Sequence, residues 1–150
     1  MTLDQEVRDA IGKLKGSHEI IESWEGVAAL LSESFPWAGS KIDWDLTCCH
    51  DCIALKGGRV EWSQVAADFT FKKINEEQKT EGRYIYYVND SALDFAVKFP
   101  VAQMVDFVRF VVEAVPQHHY FFDASAAWCL VVSSEGYIDF GCCKIPSKDR

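Results

Sequence analysis

Leu3, Val7, Ala10, Ile11 and Leu14 recur at helical spacing, and Thr2 followed by Gln5 has the form of a capping box. This pattern predicts a helix over about residues 3–15 that stops at Gly16. Ser17 can cap a second helix, whose Ile20, Ile21, Trp24, Val27, Ala28 and Leu31 form a wide apolar stripe opposite Glu19, Glu22 and Glu25. The pattern then breaks over Phe35-Pro36-Trp37-Ala38-Gly39-Ser40, because Pro36 drives Phe35 from helical angles and Gly39 permits a turn.

From Lys41 the period falls to two. Ile42, Trp44 and Leu46 alternate with Asp43, Asp45 and Thr47, which predicts a strand with one wet face. Cys52-Ile53-Ala54-Leu55 and Val60-Glu61-Trp62 flank Gly57-Gly58, a hairpin signal. Asn75 to Gly82, carrying Glu76, Glu77, Lys79 and Glu81, is the most polar run and predicts a mobile loop. Tyr84–Val88 and Leu93–Phe99 predict a second hairpin around Asn89-Asp90-Ser91.

Pro100 suits a first helical position, and in the segment it opens only Gln103, Asp106, Arg109 and Glu113 are polar. Such a helix must be largely covered, and it ends before Pro116. His118–Asp123, Ala127–Val132 and Ser133–Gly141 then supply aromatic and β-branched runs joined by Ser-Glu-Gly punctuation. These three predict a meander at the centre of a sheet. The whole reads as an α+β fold: an antiparallel sheet of meander and hairpins, with two N-terminal helices and one buried helix packed on it. No repeat, low-complexity tract or composition break divides residues 1–150, so a single domain is expected.

Hydrophobic residues make up 49% of the chain and aromatics 13%, enough apolar surface to offset backbone ordering, which excludes a disordered chain. The opening Met1-Thr2-Leu3-Asp4-Gln5-Glu6 has neither the basic region nor the apolar run of a signal peptide, and no apolar segment has the length of a membrane span. A cytoplasmic protein without membrane association is expected, with its six cysteines as thiols. A formal charge of −8 repels phosphate backbones, which disfavours nucleic acid, and suits a basic protein partner.

Soft ligands crowd at Cys48-Cys49-His50-Asp51-Cys52, where Cys49 and Cys52 have the gap of a zinc knuckle and Cys142-Cys143 offer two more thiols. Adjacent cysteines on a strand point to opposite faces, however, so packed thiols are expected here, with no metal and no cofactor. Cys129, His118, His119 and Asp123 are nominal members of a nucleophilic set. Cys129 lies in the most apolar strand, a setting that raises a thiol's pKa and lowers its reactivity. Gly57-Gly58 lacks the trailing residues of a phosphate loop. Asp43 and Asp45, two apart on a strand, would project from one wet face. Phe35 and Trp37 beside the glutamates of the second helix would offer an aromatic anchor ringed by acidic groups.

The pattern Tyr120-Phe121-Phe122, Trp128-Cys129, Ser134-Glu135-Gly136, Asp139-Phe140-Gly141 resembles the C-terminal part of bacterial immunity proteins of contact-dependent growth inhibition and polymorphic toxin systems. The resemblance is confined to that C-terminal segment. It implies a cytoplasmic, non-enzymatic toxin inhibitor that neutralises one cognate toxin domain by protein–protein interaction. With the chain's charge, the expected partner is basic and its active site is occluded by Asp43, Asp45, Glu76, Glu77, Glu81 and Trp37. The alternatives are a small thiol- or zinc-dependent enzyme centred on Cys48–Cys52, or an adaptor domain.

Overall fold

A computed structural model of the protein describes residues 2–77, 84–90 and 92–143. Thr2 opens helix α1 (Leu3–Gly12), its hydroxyl accepting the Gln5 N–H at 3.1 Å. The expected second helix divides. Glu19–Ile21 is strand β1, and helix α2 (Trp24–Ser34) begins only after Ser23. β-Branched Ile20-Ile21 loses side-chain freedom in a helix and packs well on a sheet. Trp37–Ala38 (β2) and Lys41–Ile42 (β3) pair as a small hairpin that turns at Gly39, whose φ of 67° favours glycine.

The strand expected from Lys41 onward stops at Ile42, and Trp44–Leu46 is a single 3₁₀ turn. The Asp43 N–H donates to the Pro36 carbonyl at 2.9 Å, and the Thr47 hydroxyl to the Trp44 carbonyl at 2.7 Å. Asp43 and Asp45 therefore do not share a strand face; the alternation was too short to outweigh two turn-forming aspartates.

Strand β4 (Cys48–Ala54) is followed by helix α3 (Arg59–Glu77) where a Gly57-Gly58 hairpin was expected. The Glu61 carboxylate accepts the Gly58 N–H at 2.8 Å, which fixes the helix start. Trp62, Val65, Ala66, Phe69 and Ile74 all pack into the core from this helix. It also takes in Asn75, Glu76 and Glu77, the first part of the predicted loop; residues 78–82 lie outside the described residues.

Strands β5 (Tyr84–Asn89) and β6 (Ala96–Pro100) form the expected second hairpin, with Tyr84 opposite Pro100. Pro100 closes this strand rather than opening a helix, and a 3₁₀ turn at Val101–Gln103 leads into helix α4 (Met104–Ala114). That helix buries Met104, Phe107, Val108, Val111 and Val112 and leaves Asp106, Arg109 and Glu113 outside. Strands β7 (His119–Asp123), β8 (Trp128–Ser133) and β9 (Tyr137–Cys142) are the aromatic meander.

Among the described residues the main sheet is antiparallel with seven strands in the order β1-β6-β5-β7-β8-β9-β4, so the meander does supply its centre. One edge is the three-residue β1; the other is β4, whose pairing with β9 is irregular between Cys48 and Asp51. Short or irregular edges discourage pairing with another chain.

Both faces of the sheet are covered. Phe121, Leu130, Val132, Ile138 and Phe140 point into a core beneath α1, α3 and α4. Tyr120, Phe122, Cys129 and Val131 point the other way, into a second core under α2 and the β2–β3 hairpin. Two-sided burial explains why β7 and β8 read as unbroken apolar runs rather than alternating ones. Among the described residues, no helix is long and apolar enough to cross a membrane.

Candidate functional site

The small hairpin divides the second face into two grooves. Phe35 and Ile42 anchor it in the core, and Lys41 pairs with Glu135 in the turn between β8 and β9. On one side, Trp37 and Ser40 border a groove of about 770 Å³ that runs to α1 and α2. On the other, Lys41, Ile42 and Trp44 border a groove of about 310 Å³ that runs to β4 and β9. Tyr120 lies in the floor of both.

The larger groove is aromatic and acidic. Among the described residues, Trp24, Trp37 and Tyr120 line it together with three carboxylates, Asp4, Asp90 and Asp94, and one guanidinium, that of Arg8. Trp37 is half-buried, its ring centroid 6.1 Å from that of Tyr120, so it both caps the core and forms groove wall. The Trp24 indole donates to Asp94 at 2.9 Å. Arg8 is held by Asp4 at 2.6 Å and by both oxygens of Glu22 at 2.7 and 2.9 Å. The Glu22 and Asp4 pairings keep the guanidinium charged far above neutral pH.

The predicted interface residues are not all together. Trp37, Asp43 and Asp45 belong to the hairpin and its 3₁₀ turn, on the second face. Glu76 belongs to α3, which covers the opposite face, and pairs with Lys73 at 3.3 Å and Lys72 at 4.0 Å. Glu77 ends the same helix, and Glu81 lies outside the described residues. Sequence reasoning missed Trp24, Tyr120 and Asp94, because the two aromatics stand far apart in the chain and only the fold brings them together.

The nominal nucleophilic set is not assembled. Cys129 lies in the second core, and burial pushes its thiol well above the ordinary range. His119 points to the first core, where its Nδ1 is hydrogen-bonded to the Tyr87 hydroxyl at 2.8 Å. Asp123 accepts from the Ser125 N–H, the Ser125 hydroxyl and the Trp128 indole. His118 is half-exposed, its Nδ1 accepting the Ser134 N–H at 3.0 Å.

The Cys48–Cys52 segment sorts by strand geometry. Residues two apart share a face, so His50 and Cys52 project together over the second face, and Cys52 stands directly opposite Asp139 of β9. His50 Nε2 lies 2.7 Å from Asp139 Oδ1, and the ring stacks on Trp44 at 4.9 Å with the planes 6° apart. Cys52 is exposed, but partial desolvation of its sulfur, then the adjacent Asp139 carboxylate, pushes the thiol up to about 12, which leaves little thiolate for nucleophilic work near neutral pH. The knuckle pair Cys49 and Cys52 does not gather. Cys49 instead turns, at a φ of 57°, toward Cys48 and Cys142. As expected, Cys142 and Cys143 face opposite ways, into the first and second cores.

No protein-family model matches the chain, and no curated protein matches it in sequence.

Proposed function

We propose that the protein is a cytoplasmic, non-enzymatic inhibitor of the immunity-protein class, which neutralises a basic toxin domain by covering its active site. The observation that carries this reading is the acidic aromatic groove beside Trp37, with three carboxylates to one guanidinium in its lining. Half-buried tryptophans are strong interface anchors, and an acidic rim speeds encounter with a basic partner. Asp43 and Asp45 add two acidic groups to the same face of the sheet, on the 3₁₀ turn beside the smaller groove. The interface is therefore assigned to Trp37, Asp43, Asp45 and the groove, and Glu76, on the far face, falls outside it. A thiol enzyme has less support, because Cys129 is buried in the second core and the exposed Cys52 is held protonated by partial desolvation and the Asp139 carboxylate beside it.

The test is capture from lysate of the native host with the tagged protein as bait, at low and moderate salt. The reading expects one basic protein at near-equal stoichiometry, lost with Asp43→Lys/Asp45→Lys and kept with Glu76→Lys. No retained partner at either salt overturns it, and a partner lost only with Glu76→Lys moves the interface to the other face.

A further inference from the structure

We propose that His50, Cys52 and Asp139 form a mononuclear site for a divalent transition ion of the zinc class, with its fourth position open to the smaller groove. This inference is independent of the inhibitor reading, and it departs from the sequence expectation of no metal. That expectation weighed Cys49 with Cys52, which β4 sends apart; the set brought together is a nitrogen, a sulfur and an oxygen donor.

Backbone register alone places the three on one face. His50 and Cys52 are two apart on β4, and Asp139 is the ladder partner of Cys52 on β9. Their ligand atoms all lie within 4.8 Å of one another, and the His50–Asp139 distance is 2.7 Å. A tetrahedral zinc with bonds of ~2.0–2.3 Å holds its ligand atoms roughly 3.3–3.8 Å apart. Side-chain movements of about 1 Å therefore convert the hydrogen-bonded cluster into a coordination shell, with no change in strand pairing.

The surroundings fit a positioned ligand set. Trp44 lies flat against the His50 ring and fixes its plane. Trp44 is in turn seated on Gly141, where a Cβ would meet its ring at 2.8 Å, so the bare backbone of β9 makes room for the stack. Cys52 and Asp139 also line the groove of about 310 Å³, which leaves space for water at the fourth position. Three protein ligands leave the fourth position to water or to an exogenous ligand in the groove. Coordination displaces the Cys52 proton to solvent, and the resulting thiolate, with a carboxylate and a neutral imidazole, balances a double positive charge; this mixed donor set suits zinc over magnesium or calcium, which prefer oxygen alone.

The experiment adds Co²⁺ to the chelator-treated full-length protein and follows its absorption, with Zn²⁺ as competitor. The site predicts equimolar binding, visible bands of tetrahedral intensity and a thiolate-to-cobalt charge-transfer band, all abolished by Zn²⁺. Cys52→Ser removes the charge-transfer band, and His50→Gln and Asp139→Asn each lower affinity by roughly 10–100-fold or more. His50→Gln retains a hydrogen-bonding side chain, so at least one variant tests ligation in a folded protein. Absence of the charge-transfer band overturns the proposal. So does a band that survives Cys52→Ser and is lost with Cys49→Ser, which would place the ion on Cys48, Cys49 and Cys142 instead.

Discussion

The Tyr87 hydroxyl and His119 Nδ1 are hydrogen-bonded at 2.8 Å in the centre of the first core, and burial holds the imidazole neutral, its pKa pushed down to about 3. An unfolded chain takes up the His119 proton near the ordinary value of about 6.5, whereas the folded chain does not until near pH 3. Protons therefore favour the unfolded state throughout that interval. The contribution is full above the unfolded value and falls by about 2 kcal/mol between pH 7 and pH 5. Denaturant titrations of the wild type and His119→Gln across this range should show the stability difference shrinking as pH falls. Parallel curves would mean that His119 does not titrate on unfolding.

Gly141→Ala should disturb a residue far away in sequence. The added methyl carbon would lie 2.8 Å from the Trp44 ring and 3.3 Å from the Thr47 hydroxyl, so the 3₁₀ turn must shift. Overpacking of this kind costs about 1–3 kcal/mol. The expected result is that loss together with altered Trp44 fluorescence, measured against a Trp44→Phe background. An unchanged emission spectrum would show that the ring does not rest on β9.

The two cores make a further distinction that exposure alone decides. Phe121 is fully buried in the first core, and Phe121→Ala should cost about 3–5 kcal/mol in chemical denaturation. Tyr84, at the start of β5, is 52% exposed, and Tyr84→Ala should stay within about 0.5 kcal/mol. A small loss at Phe121 would contradict the two-sided burial of the meander.

The elements legible in the sequence were those whose local pattern and tertiary setting agree. α1, the β5–β6 hairpin, α4 and the meander each combine a clear period with punctuation at their ends. Elsewhere a nonlocal partner decided the outcome. Ile20-Ile21 joined a helical stripe to the eye, but β6 recruits it as an edge strand. Gly57-Gly58 looked like a hairpin turn because β4 precedes it, yet the partner of β4 is β9, most of the chain away. The Trp62, Val65, Ala66, Phe69, Ile74 series carried the helical period of α3 and was the signal overlooked.

The site was legible in a similar measure. Trp37, Asp43 and Asp45 are close in sequence and remain close in space. Glu76 is separated from them because α3 carries it to the opposite face. The His50–Cys52 pairing was present in the two-residue period of a strand, but Asp139 enters through register, which one sequence does not display.

The hairpin face, with Asp43, Asp45 and Trp37, is where we propose a basic partner docks. The most direct test is the association rate of the captured partner with wild type, Asp43→Lys/Asp45→Lys and Glu76→Lys proteins at low and moderate salt. The double reversal should slow association by about tenfold or more at low salt and flatten its salt dependence, while Glu76→Lys should stay within about twofold of wild type. Equal rates for all three proteins, or slowing confined to Glu76→Lys, would contradict that docking.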